Sequence, residues 1–109
     1  MTCDQWDVVI VPFPFTEKAG TKRRPALVLT KKNFNAHGHT MLLMITTTAH
    51  RSWPGDAAME DYRTAGLRTP CMVRLKAFTL DNRLIMKKIG ELSTADRHKI
   101  SAHIQQFIL

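Results

Sequence analysis

Apolar residues along the chain come in short unbroken runs separated by polar stretches rich in Gly, Pro, Asn and Thr, which predicts strands over most of the sequence. Residues 8–11, Val-Val-Ile-Val, form a first strand that leaves its sheet at Pro12. The following Pro12-Phe13-Pro14-Phe15 cannot be helical, because each Pro lacks an amide donor and restricts the residue before it. Residues 25–30 form the returning strand, 41–45 a third that runs into Thr46-Thr47-Thr48, and 71–75 another that brings Arg74 into the sheet. None of these runs alternates, as expected of strands buried on both faces. Between them, 16–24 holds Gly20 and the cations Lys18, Lys22, Arg23 and Arg24 with one acid, Glu17, and reads as an exposed loop. Residues 31–40 form a polar connection, 52–59 a second loop containing Trp53-Pro54-Gly55-Asp56, and 66–70 a turn. Residues 79–82 read as a short turn or helical turn before Leu84-Ile85-Met86.

The clearest helix signal lies at the C-terminal end. Ser93 is a good N-cap with Asp96 three residues on, and Ile100, Ile104, Phe107 and Ile108 recur at helical spacing, which predicts one apolar stripe laid on the sheet. The expected fold is mainly β with a C-terminal α-helix, a small and strongly curved sheet or barrel, in a single domain spanning 1–109.

Composition narrows the function classes. With 44% apolar and 23% charged residues the chain is globular, and Cys3 and Cys71 are too few for a disulfide framework and lack metal-ligand spacing. No metal and no cofactor are expected. Without a signal-peptide pattern or an apolar run near the ~18 residues of a membrane span, the sequence reads as soluble and cytoplasmic, with no membrane partner. A formal charge of +7 changes the picture more, because it favours a polyanionic partner. Between Lys18 and Gly55 there is no acid, while seven cations stand there, Lys31, Lys32 and Arg51 among them. Such a run also serves as a plain solvated face.

The pieces DVVIVPFPFTE, KRRPALVLT, the Thr46-Thr47-Thr48 strand end, PCMVRLKAFTLD and IGELS before the last helix follow one another as in the PemK/MazF-like toxins of toxin-antitoxin pairs, which the chain resembles over nearly its whole length. The resemblance implies an SH3-like barrel of the PemK/MazF/CcdB-like type and a homodimer. It implies metal-independent cleavage of single-stranded mRNA, inhibition by a cognate acidic antitoxin, and contact with promoter DNA only through the antitoxin complex. By motif, the residues tied to cleavage fall on Arg24 and Thr47, with Thr48 the choice if the alignment slips by one. A further site arginine falls on Arg74, and the basic loop is the RNA-binding and gating segment. Trp6 stands where the family usually has Gly, Cys71 where it often has Ser, and Lys76 where many members carry a carboxylate assigned as general base.

Cleaving RNA without a metal requires a proton taken from the 2′-hydroxyl, charge stabilised on the phosphorane and a proton supplied to the leaving 5′-oxygen. Arg24 suits the stabilising role and, staying charged, is a poor base. The Thr47 hydroxyl can hold a phosphate or ribose oxygen but has no pKa suited to proton transfer. The base is left between His50, three residues beyond Thr47, and Glu17; each also reads as an ordinary surface residue. His98 and His103 are expected to be structural, and His37 and His39 show no ligand pattern. Lys22, Arg23, Arg74 and Lys76 are expected on phosphates, and Trp53 either stacks on an unpaired base or covers the barrel end. Phe13 and Phe15 read as core or dimer-interface residues. Two other readings stay open: a catalytically weak RNA- and antitoxin-binding module, and a same-fold toxin that grips a protein such as DNA gyrase.

Overall fold

β1 (Asp7–Pro12) buries Val8 and Val9 completely although they point to opposite sides of the sheet, so both faces of this strand are covered. The computed structural model describes residues 1–12 and 22–109; the expectations placed on Phe13, Phe15, Glu17 and the loop through 21 lie outside the described residues. The other elements are β2 (Arg23–Val28), α1 (Lys32–Asn35), β3 (His39–Thr47), β4 (Ala57–Ala58), β5 (Cys71–Asp81), a 3-10 turn (Asn82–Leu84), β6 (Lys87–Glu91) and α2 (Thr94–Phe107). The strands form one curled six-stranded sheet in the order β4-β5-β3-β2-β1-β6, with every pairing antiparallel.

Strand bounds depart from the apolar runs for local reasons. β2 starts at Arg23, inside the expected loop, because Arg23 and Arg24 pair with Pro12 and Val11 of β1. Its ladder with β3 begins only at Ala26, one residue after Pro25, which has no amide to offer that side. β5 runs on to Asp81, through the residues expected to turn, because Ala77 to Asp81 pair with Leu43 to His39 of β3. The helical turn begins only at Asn82.

Two apolar clusters fill the two sides. Val8, Leu27, Leu43, Ile45 and Val73 pack with Leu92 and Ile100 on the α2 side, while Val9, Val11, Ala26, Val28, Leu42 and Phe78 fill the other. On α2 only Ile100 and Ile104 reach the core; Phe107 is 48% and Ile108 55% exposed, so the expected stripe covers the sheet along half its length. Trp6, at the position where the resemblance implies Gly, has φ 76°, in the left-handed region where a Cβ costs about 1–2 kcal/mol. Backbone hydrogen bonds on either side hold it there, its amide donating to Val28 at 2.9 Å and its carbonyl accepting from Leu92 at 3.0 Å.

A buried polar knot ties the connections at one end. Asn35 Nδ2 donates to the Cys3 and Thr30 carbonyls, Asn82 Nδ2 to the Asn35 carbonyl, and Thr40 Oγ1 to Asn82 Oδ1. At the start of α2, Ser93 Oγ accepts from the Asp96 amide at 3.2 Å. The Asp96 carboxylate, fully buried, holds the Glu60 and Asp61 amides at 2.9 and 3.0 Å, so it joins the helix to the loop before β5 rather than completing a capping box.

Replacing Ser93 by Ala removes one cap bond and is expected to cost about 1 kcal/mol in denaturant unfolding. Asp96→Ala orphans two further amides and costs more; the reverse order would overturn the tether. Asp81 accepts from the side chain and amide of Arg83, which lowers its pKa from 3.8 to about 2. A lowered folded pKa means stabilisation complete above the ordinary Asp value, about pH 4, and lost as pH falls toward the folded one. The stability difference between wild type and Asp81→Asn therefore shrinks on acidification across that window, as melting curves across it will show.

Candidate functional site

The basic end of β2 meets the threonine end of β3. Ala26 pairs with Met44, and continuing that register by two residues sets Arg24 level with Thr46 and Arg23 level with Thr47. Pleating decides which side chains share a side. Arg24 lies on the face of Ala26 and Val28, and Thr46 on the face of Leu42 and Met44, which belong to the same side of the sheet. Thr47 lies with Ile45 on the opposite face, and Thr48 is the first residue beyond the strand, in the turn that follows it. Thr46 is buried, whereas Thr47 and Thr48 are exposed. The Thr48 amide donates to Pro70 and the His50 amide to Thr47, so His50 is exposed on a turn that closes β3. Lys22 and Arg23 are exposed, and Arg24 is half-buried.

Arg74 stands directly opposite Met44, and so on the face of Arg24 and Thr46. Its guanidinium is committed to the protein. Nε donates to Asp56 Oδ1 at 3.2 Å and one terminal nitrogen to Asp56 Oδ2 at 3.1 Å, a two-point ion pair with side chains only 9% and 7% exposed. The same nitrogen donates to the Arg51 carbonyl at 2.6 Å. In this arrangement Arg74 supports residues 51–56 from beneath instead of presenting itself to a phosphate in solvent. Lys76 and Trp53 lie above it: the Arg74 guanidinium carbon is 4.8 Å and the Lys76 ammonium 5.5 Å from the centre of the Trp53 ring, which is itself 45% exposed.

Sequence reasoning missed Asp56. An arginine inside the apolar run Met72-Val73-Arg74-Leu75 must be paired if buried, and Asp56 is the first acid after the acid-free stretch. That signal was present. Elsewhere, Lys88 bridges Asp7 and Glu91, which raises its own pKa and lowers that of Glu91, through an ion pair in each case. Burial pushes both the Cys3 and Cys71 thiols up, which keeps them protonated and unreactive. Among the described residues no group of three His, Cys, Asp or Glu is placed to hold a metal ion, and no helix is long and apolar enough to cross a membrane.

The fold is that of known toxin structures. A MazE-MazF complex from Deinococcus radiodurans superposes at TM-score 0.76 with 19% identity, covering 99% of this chain and 97% of that one. The Mycobacterium tuberculosis toxin MazF-mt6 gives 0.74 with 22% identity over 92% and 93% of the two chains. An endoribonuclease in complex with its cognate antitoxin from a mycobacterial species gives 0.74 with 20% identity over 95% and 92%. No curated protein sequence matches the chain. The sequence model of the PemK-like, MazF-like toxins of type II toxin-antitoxin systems matches residues 4–108, and the chain belongs to that family, an endoribonuclease family.

Arg74→Met strands a buried carboxylate and is expected to cost about 3 kcal/mol of unfolding free energy. Arg74→Met combined with Asp56→Leu removes both charges and recovers part of that loss; equal destabilisation by single and double variants, read from denaturant curves, would refute the buried pair.

Proposed function

We propose that this protein is the toxin of a type II pair and cuts single-stranded mRNA at short motifs without a metal, leaving a 2′,3′-cyclic phosphate and a 5′-hydroxyl. The observation that carries the proposal is the antiparallel pairing of β2 with β3, whose register directs Arg23 and Arg24 toward the Thr46-Thr47-Thr48 end of the neighbouring strand, in a chain of the matching family. Arg24 stabilises charge on the phosphorane. Thr47, or Thr48 if the motif is shifted by one, holds a phosphate or ribose oxygen. The proton acceptor is assigned between His50, on the turn after β3, and Glu17. Lys22, Arg23 and Lys76 bind phosphates, and Trp53 meets a base.

The partners follow the same reading. Two of the similar structures are complexes, one of MazE with MazF and one of an endoribonuclease with its cognate antitoxin. An acidic disordered segment laid across the basic end of this +7 chain would block RNA there. The toxin works as a homodimer in the cytoplasm and meets promoter DNA only through the antitoxin complex.

One position favours a second reading: Lys76, where many relatives have a carboxylate, lies against Trp53 as a cation, which suits a module that binds RNA and cuts it weakly.

In EDTA, wild type is expected to cleave a mixed-sequence RNA, and Arg24→Ala to cut at least 10²-fold more slowly, in line with the loss of one oxyanion-stabilising donor. Thr47→Ala is expected to slow cleavage as well, and a larger loss in Thr48→Ala would move the role to that neighbour. Binding without cleavage selects the weak module, and inhibition of supercoiling with intact RNA selects a gyrase-type target. RNA affinity should fall steeply with salt, since each phosphate contact releases counterions; a flat response in a binding titration counts against the basic face.

A further inference from the structure

Trp53-Pro54-Gly55-Asp56 is built as a rigid turn. The Asp56 amide donates to the Trp53 carbonyl at 3.1 Å, Pro54 occupies the second position, and Gly55 in the third has φ 83°, the arrangement of a type II turn. The turn is closed a second time, because the Trp53 amide donates to Asp56 Oδ2 at 2.7 Å. Gly55 can carry no side chain here: a Cβ would lie 2.5 Å from the Leu75 Cδ1 atom and 3.2 Å from the Phe107 ring. A hydrogen bond of 2.8 Å between the Gly55 carbonyl and His103 Nδ1 fixes the turn to α2, and the buried Asp56–Arg74 pair fixes it to β5.

All this anchoring supports one exposed ring. Trp53 is nearly half exposed, although a tryptophan that merely capped the sheet would be buried against the apolar residues nearby. It sits against Arg74 and Lys76, on the side of the sheet that carries Arg24. Arg74 is already paired with Asp56, so the ligand meets the exposed remainder of the indole and the charge of Lys76 beside it, a flat apolar surface next to one cation, which matches the flat ring and adjoining phosphate of an unpaired nucleotide.

We infer that the 53–56 turn is a preformed base-stacking platform for one unpaired nucleotide of single-stranded RNA, that Lys76 takes the phosphate beside that base, and that Asp56 is the positioning residue that sets the ring. The inference rests on the RNA-directed reading above and adds to it a subsite and the residue that holds it. Because the ring is held in place before the ligand arrives, binding spends little on ordering it.

The test uses a mixed-sequence oligodeoxynucleotide, which binds without being cut because it lacks the attacking 2′-hydroxyl. Titration is expected to quench tryptophan fluorescence in wild type and not in Trp53→Phe, which retains Trp6 alone. Trp53→Ala, a surface change that leaves the fold intact, should weaken binding by roughly 5- to 150-fold, the range for one lost base stack, with the slope against salt preserved. Lys76→Ala should instead reduce that slope by about one. Asp56→Asn, with melting curves showing it folded at the assay temperature, should weaken binding toward the Trp53→Ala value, and Asp56→Glu should restore part of it. If Trp53→Ala binds as tightly as wild type while wild type still cleaves RNA, the platform is overturned and the nuclease reading stands. If wild type neither binds nor cuts, both fall. Quenching by an acidic antitoxin peptide with none by the oligonucleotide would make the turn a protein-docking surface and overturn the inference.

Discussion

The arrangement depends on a bulge in the long ladder between β3 and β5. Leu43 pairs with Ala77 and its neighbour Met44 with Arg74, so Leu75 and Lys76 stand in β5 without partners in β3. A bulge of this kind sharpens the local twist and re-aims the side chains beside it. Before it, β5 contributes Cys71 and Val73 to the cluster under α2; after it, Phe78 and Leu80 go to the other cluster. The three residues at the bulge hold the second loop: Arg74 by charge, Leu75 by contact at Gly55, and Lys76 at the Trp53 ring. One irregularity thus bends the sheet and fixes the turn beside the proposed site, while ordinary alternation along β5 sends its odd and even residues to the two clusters.

Positive charge at the site divides into two kinds. Arg74 is buried, and its charge is matched by Asp56 before any ligand arrives. Lys22 and Arg23 are exposed and meet water in the free protein, so their field reaches into solvent and is screened by salt. Replacing a cation of the first kind disturbs the shape of the surface; replacing one of the second kind disturbs its field. The family resemblance alone puts Arg74 with the ligand-facing cations, and only burial and partner geometry separate it from them.

Much of the fold was legible in the sequence because short β-branched runs and a capped, periodic C-terminal segment are local signals. Val8 and Val9 read as doubly buried and are. What could not be read was non-local. The extension of β5 to Asp81 is imposed by β3, since Asp81 is itself disfavoured in strands. The half-open stripe on α2 depends on how far the sheet reaches beneath it. At the site, Arg24 and the threonines could be found by motif, whereas the side of the sheet each one faces follows only from register. Asp56 and Arg74 are 18 residues apart, and no spacing rule joins them.

The first strand and the last are neighbours: β1 pairs with β6, and the cluster that Val8 enters is closed by Leu92 and by Ile100 of the terminal helix. Long-range pairings of this sort form late, after the loop-closure entropy has been met. During synthesis an edge of β1 therefore stays unpaired until residues 87–91 have emerged, and one side of the core stays open until Leu92 and Ile100 follow them. The curled sheet is thus complete only once residues 87–91 have closed against the first strand.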